Sequence, residues 1–464
     1  MFGILFIREI QNYLYSLRFQ VSFGIILLVF IIGSVSFIKS FSEVQDNYFK
    51  YIQEQSKILE NSVNNASNLA TWKKQFIMSP RENSVISDCK EQAIPNMFNY
   101  SAYNVFDFSV RHNSTNPLMK QAQVLNWSFI VSMVLSFITL LFAYDAISGE
   151  KEDHTLALCL SNPVSRGTLL FAKFSGIVIV TVSMAIVGIL ISLLLMSLTG
   201  TINLSSGLLG ETAGFIGISA LFITSMAVIG LLSSVLTRDS NISLLISLCF
   251  WLAFAVIIPN TSVFWANKLF PIAHVDEVNQ RIEEGRQTLN REAPAGSWSS
   301  NGGNPFYPQH ELRANLQTKL MNNEKQHKDA YYADMFSQFE NTRLFTMISP
   351  MAQFDYMNEA MLGGGYLRFR KNWDDLHIFQ TQFLQWFKDL DAKDDKSPHW
   401  YSPHEGLSTT RQGVSIDSVP VYTEQPAGFA QRLGYMSTSL VIMSVVSVIL
   451  FAVCFMLLVK YDVR

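Results

Sequence analysis

Residues 144–173 read YDAISGEKEDHTLALCLSNPVSRGTLLFAK. An apolar run precedes this stretch and another follows it, so acids, bases, caps and turn residues are gathered into one short connector. Asp145 closes the first run, and Ser148-Gly149 predicts a helix break. Glu150 and Glu152 flank Lys151, and Asp153 or Thr155 offers a cap for a new helix, whose positive end favours nearby acids. Residues 155–160 then supply about one and a half amphipathic turns. Asn162-Pro163 stops them, and Ser165 can cap the helix that follows. The pattern predicts a small helix lying along a membrane surface, held out by two spans. It fits a docking element that takes force from a partner, and it equally fits a loop that satisfies its own caps.

The flanking runs set the fold class. The 464 residues are 49% hydrophobic and 15% charged, against about 25% charged in an ordinary soluble domain. A net charge of −3 gives no basis for nucleic-acid binding. Residues 19–38, 125–144, 169–198, 214–236, 242–258 and 435–459 are apolar enough for a bilayer core of about 30 Å. The first run is not followed by a small-residue cleavage site, since Lys39-Ser40-Phe41 comes next, so it is expected to be retained. The fifth is expected to stop at Pro259. The expectation is a mainly α, polytopic membrane protein with six transmembrane helices.

Lysine and arginine orient it. Segment 199–213 has neither, whereas 145–168 carries Lys151 and Arg166, 237–241 carries Arg238, and the ends carry Arg8, Arg18, Lys460 and Arg464. Residues 1–18, the connector 145–168, the hairpin 237–241 and the tail 460–464 are therefore expected in the cytoplasm. Residues 39–124 and 259–434 are expected as two external, largely helical domains. Within the second, 275–289 and 310–339 read as long helices, Ser349-Pro350 as a helix start and Gly363-Gly364-Gly365 as its close. In residues 1–18, Phe2, Phe6, Ile10, Tyr13 and Leu17 share a face, which predicts an interfacial helix or a cytosolic extension of the first span.

Several chemistries lack their signatures. The chain has no G-x-x-x-x-G-K-[ST] phosphate loop and no G-x-S-x-G elbow. His310-Glu311 and His404-Glu405 have Ala314 and Ser408 where a zinc protease needs a second histidine. Cys89, Cys159, Cys249 and Cys454 form no metal or disulfide pattern. No Asp or Glu lies in the six runs, so ion-coupled carriage has no intramembrane carboxylate to use. Lys173, one turn into the third run, is expected to snorkel to the interface. If a solute moves, its energy is expected to come from another chain.

The pattern D-A-I-S-G-E-K-E-x-x-T-L-x-L-x-L-S-x-P-V-S-R-x-x-L-L-x-x-K over residues 145–173 resembles the signature of ABC-2 type transporter permeases. Ser349-Pro350, Val419-Pro420 and the closing Tyr461-Asp462-Val463-Arg464 resemble the DUF3526-type subgroup, with a large external insertion before the last span. The resemblance implies a coupling helix docking on a separate ATP-hydrolysing subunit. Glu150, Glu152, Thr155, Leu156 and Leu160 would belong to that contact, and Pro163 and Arg166 to the turn into the third span. It implies a second permease chain, identical or related, in a bacterial inner membrane with lipid around it. ATP and Mg would bind the partner, leaving no cofactor here and no enzyme activity in this chain. The second and fifth spans would line a path, placing Phe250 and Trp251 either on that path or against lipid. The expected function is the permease subunit of an exporter of unidentified substrate. The alternative is a mechanotransmitter, driven by the same ATPase, that acts on external partners and carries no solute.

Overall fold

The computed structural model describes residues 2–91, 93–103, 107–110, 125–161, 164–295, 297, 308–395, 397, 399, 401 and 412–461. Among them, six helices are long and apolar enough to cross a membrane, and the chain is a mainly α, multi-pass membrane protein.

Helix α1 (Phe2–Tyr15) ends at Ser16, and α2 (Leu17–Ser62) begins there. Ser16 makes the corner: its backbone is extended, its hydroxyl donates to Tyr13 O at 2.7 Å and accepts from Phe19 N at 3.2 Å. Helix α2 has 46 residues, about 69 Å of helix and more than twice the thickness of a bilayer core. It does not end with the apolar run at Ile38, because residues 39–62 contain no proline or glycine to stop it. After α3 (Ala66–Thr71) come three short antiparallel strands, β1 (Lys74–Ile77), β2 (Met97–Tyr100) and β3 (Asp107–Ser109), in that order. Phe76 pairs with Phe98, and Phe98 with Phe108.

The second long helix, α4 (Trp127–Glu152), loosens into turns at residues 144–147. The predicted break thus falls just before Ser148-Gly149 rather than at it. The amides of Ile147 and Ser148 both donate to Ser234 Oγ at 2.8 Å, so an outside acceptor satisfies groups the helix has released. Next come α5 (Thr155–Ser161), α6 (Arg166–Leu198), α7 (Ser206–Leu236) and α8 (Ser240–Leu269).

Helix α8 continues through Pro259, where the sequence predicted its end. Residues Ala253–Ile257 form a π-helical turn that ends two residues before the proline. The wider turn makes room for the ring, and the Phe254 carbonyl within it accepts from Ser349 Oγ at 2.9 Å. Helices α9 (Val275–Glu292), α10 (Pro308–Thr346), α11 (Pro350–Leu362) and α12 (Gly365–Asp391) follow, and α13 (Phe429–Lys460) is the last. Ser349 caps α11 with Pro350 at its first position, and Gly363 closes it in the left-handed region at φ 61°.

The apolar helices pack through small residues. A Cβ on Gly230 of α7 would stand 2.5 Å from the Ala143 Cβ of α4, so the glycine is what lets the two helices approach. Gly230→Leu should destabilise the bundle by about 1–3 kcal/mol, the usual cost of overpacking. Gly217 on the same helix has nothing within 4 Å, and Gly217→Leu should leave thermal unfolding in detergent unchanged. Equal melting of the two variants would contradict this packing.

The two long polar segments form one body, where two separate domains were expected. Phe98 and Tyr100 of the first share a core with Phe336, Phe369, Trp373 and Tyr422 of the second. Leu69 and Ala70 likewise pack with Phe383 and Phe387. The three strands in the first segment were missed as well. Four, four and three residues long, they are too short to show an alternation against their polar surroundings. Both cores draw side chains from the two segments, so each segment closes on the other.

Lys74, at the head of β1, is buried between α3 and α12. Its ammonium donates to Leu69 O and lies 4.7 Å from the Phe383 ring centroid. Burial lowers its pKa to about 7, whereas an unfolded lysine titrates near 10.4. Between those values the unfolded chain holds more protons, so this residue makes stability rise with pH from about 7 towards 10. Lys74→Met should flatten that rise. Melting of both proteins at pH 7 and pH 9 checks it, and identical slopes would count against the buried lysine as the cause.

Candidate coupling surface

The end of the bundle that carries Phe2 and Tyr461 also carries residues 144–161, Ser165 and the α7–α8 turn. Lys151, Glu152 and Arg166 are each bound to a helix end of opposite polarity. Lys151, buried, donates to Val235 O at 2.6 Å and Thr237 O at 2.9 Å, both carbonyls at the C-terminus of α7. Arg166 Nη1 donates to Leu458, Val459 and Tyr461 carbonyls at 2.8, 2.7 and 2.8 Å, gripping the C-terminus of α13. Glu152 Oε2 accepts from Ser240 N at 3.1 Å, at the first turn of α8. Ser165 caps α6 through Thr168 N at 3.1 Å, as the sequence indicated.

Lys173 does not snorkel. Its side chain is 7% exposed, with Nζ 2.8 Å from Glu150 Oε1 and 3.2 Å from Glu9 Oε1. The two carboxylates come from the connector and α1, and they outbid the interface because they neutralise the ammonium where it sits. A second ion pair, Arg18 with Asp145, ties α2 to the same connector. Between α1 and the connector lies a cavity of about 600 Å³ lined by Glu9, Asn12, Arg18, Asp145, Glu150 and Lys173.

The predicted contact residues therefore divide. Glu150 faces inward to Lys173, and Arg166 faces α13. Leu156 is 2% exposed and Leu160 partly covered, whereas Glu152 and Thr155 are exposed. Pro163 lies outside the described residues. The large apolar side chain that α5 displays is Leu158, 68% exposed, which the sequence reading left out. Helical spacing held the signal: Leu156 and Leu160 are four residues apart and share a face, and Leu158 is about 200° from Leu156.

Phe250 and Trp251 are not brought together. The Trp251 indole donates to Ser136 Oγ at 3.0 Å and meets the Phe137 ring edge-on, so it packs on α4. Phe250 points elsewhere, into a cavity of about 530 Å³ between α7, α8, α11 and α13 of this chain.

A sequence profile described as "ABC-2 family transporter protein" matches residues 4–463. Two curated relatives, both called "Probable ABC transporter permease protein NosY", come from Pseudomonas aeruginosa and Stutzerimonas stutzeri. They are 46% and 42% identical to this chain over 55 residues. Each alignment covers 12% of this chain and 20% of the relative, so the chain spans one fifth of the length of these relatives.

Proposed function

The chain belongs to the ABC-2 family of transporter proteins, and from that membership we infer that it is the permease subunit of an exporter driven by a separate ATPase chain. The observation that carries the reading is α5. The connector on either side of this seven-residue helix is tied to three other helix ends through Lys151, Glu152 and Arg166, and the helix itself presents Leu158 at 68% exposure. An exposed leucine on a braced element suits insertion into a cleft of a partner subunit, with exposed Glu152 and Thr155 beside it. In this reading ATP and Mg bind the partner, and no cofactor binds here. The connector, the hairpin and both termini face the cytoplasm of a bacterial inner membrane. The joint polar domain lies outside, apart from α11, which packs against α7 within the bundle. A second permease chain, the same or related, completes the assembly, and the substrate is unidentified.

Co-expression with candidate ATPase subunits, followed by extraction in mild detergent, tests this. Leu158→Asp should reduce the recovered ATPase about tenfold, the worth of one interface contact of about 1.4 kcal/mol, while the chain stays monodisperse. Full recovery of the ATPase with Leu158→Asp would refute α5 as the docking element.

One observation favours a second reading, in which the ATPase stroke moves the outer domain and no solute crosses. Helix α2 runs unbroken from Leu17 at the connector end to Ser62 in the polar domain, a continuous rod between the two. Substrate accumulation in inverted vesicles would decide against it.

A further inference from the structure

The cavity that receives Phe250 has a second unusual feature. Gln353, 3% exposed, lines it. The amide Nε2 of Gln353 donates to Met347 O, and its Oε1 is buried with no hydrogen-bond partner. The cavity's two serines have partners: Ser447 Oγ donates to Met443 O at 2.7 Å and accepts from Ser225 Oγ at 2.6 Å. Of the described lining residues, Gln353 alone carries a buried polar atom left without a partner. An unmet carbonyl in apolar surroundings is costly, so its retention points to a donor that arrives from outside.

The rest of the lining says what kind of molecule brings it. No Asp, Glu, Lys or Arg is among the described residues lining the cavity, so a charged head group would lie there without a counter-charge. Ile229, Leu232, Met443 and Leu450 make an apolar wall. Phe250, Val446 and Ile348 are also exposed, at 37%, 43% and 69%, so the cavity opens on the apolar side of the bundle, where lipid lies. The neighbouring Phe354 stacks on Phe222 of α7 at 4.6 Å, which sets Gln353 alongside the middle of a long membrane helix. The volume of about 530 Å³ is within the range of small-molecule sites.

We propose that this cavity binds one uncharged long-chain lipid, whose hydroxyl or amide N–H donates to Gln353 Oε1 while its chain lies against Ile229, Leu232 and Leu450. The site is independent of the transporter reading and needs only that the chain be embedded in a membrane.

The test uses the full chain in lipid nanodiscs and three photoactivatable, alkyne-tagged probes of equal chain length: a primary alcohol, the matching carboxylate and the matching hydrocarbon. After irradiation at pH 8, the alcohol should label peptides carrying Ile348 or Met443 in preference to the carboxylate. Gln353→Leu should reduce alcohol labelling about five- to tenfold, the worth of one hydrogen bond, and leave hydrocarbon labelling unchanged. Leu450→Trp, which fills the cavity, should abolish labelling by all three. Equal labelling by alcohol and carboxylate overturns the proposal, as does undiminished labelling in Leu450→Trp. If Gln353→Leu does not fold, the probe comparison on the wild-type chain and the Leu450→Trp result still decide the matter.

Discussion

Lys173→Met is expected to destabilise the connector end by about 3–5 kcal/mol and to release α1 from the bundle. The ammonium is the only cation within 4 Å of Glu9 and Glu150 among the described residues. Removing it leaves two carboxylates facing one methionine, both largely shielded from water, at 16% and 21% side-chain exposure. Like charges in one pocket repel, and neither has another cation within 4 Å among the described residues. Proteolysis between α1 and α2, together with thermal unfolding in detergent, reads both consequences. The triple variant Glu9→Gln, Glu150→Gln, Lys173→Met should recover most of the loss, because it removes the repulsion with the cation. A single variant that melts like wild type would mean that Lys173 contributes nothing to holding α1.

The second large effect is expected at Arg368, which joins the two polar segments. Its guanidinium forks onto both oxygens of Glu424 at 2.6 Å, meets Glu91 Oε2 at 3.2 Å and donates to Ser79 O at 2.9 Å. The side chain is 7% exposed. Burial pushes the Glu424 carboxyl up, but hydrogen bonds and charge from Arg368 outweigh it and hold the pKa below the ordinary glutamate value. Such a group adds stability above its unfolded pKa and loses it as pH falls through the folded one. Arg368→Met should therefore cost about 3–5 kcal/mol at neutral pH and flatten the acid limb of the stability curve. Arg368→Lys should rescue little, since an ammonium cannot make the planar two-point contact. Hydrogen exchange over β1–β3 and α12 measures the separation. Protection unchanged in Arg368→Met would show that the aromatic core alone holds the segments together.

Lys173 and Arg166 both take partners that no local pattern in the sequence indicates. The chain alone shows Lys173 as a cation one turn inside an apolar run, the pattern of a snorkelling lysine, whereas its partners lie 164 residues before it and in the connector. Arg166 was placed in a turn, whereas its three acceptors lie 292–295 residues away. The exposed Leu158 was legible in principle, since helical spacing separates it from Leu156 and Leu160. The direction in which α5 presents that face depends on how the connector is tied down. Pro259 misled for a similar reason: the rule that proline ends helices is local, and the π turn that accommodates it is braced by Ser349, from 95 residues away.

By itself, the sequence determined the apolar helices, their number and approximate place, and the caps at Ser165, Ser349 and Gly363. Each of those depends on hydropathy over about 20 residues or on hydrogen bonds within one turn. Only the tertiary structure decided the rest. It paired Lys173 with Glu9 and Glu150, sent Lys151 and Arg166 to the ends of α7 and α13, turned Trp251 and Phe250 to different neighbours, and joined two polar segments through Arg368 and a shared aromatic core. Buried charge and short strands take whichever partner the folded chain brings within about 4 Å, and no local pattern along the sequence encodes that distance.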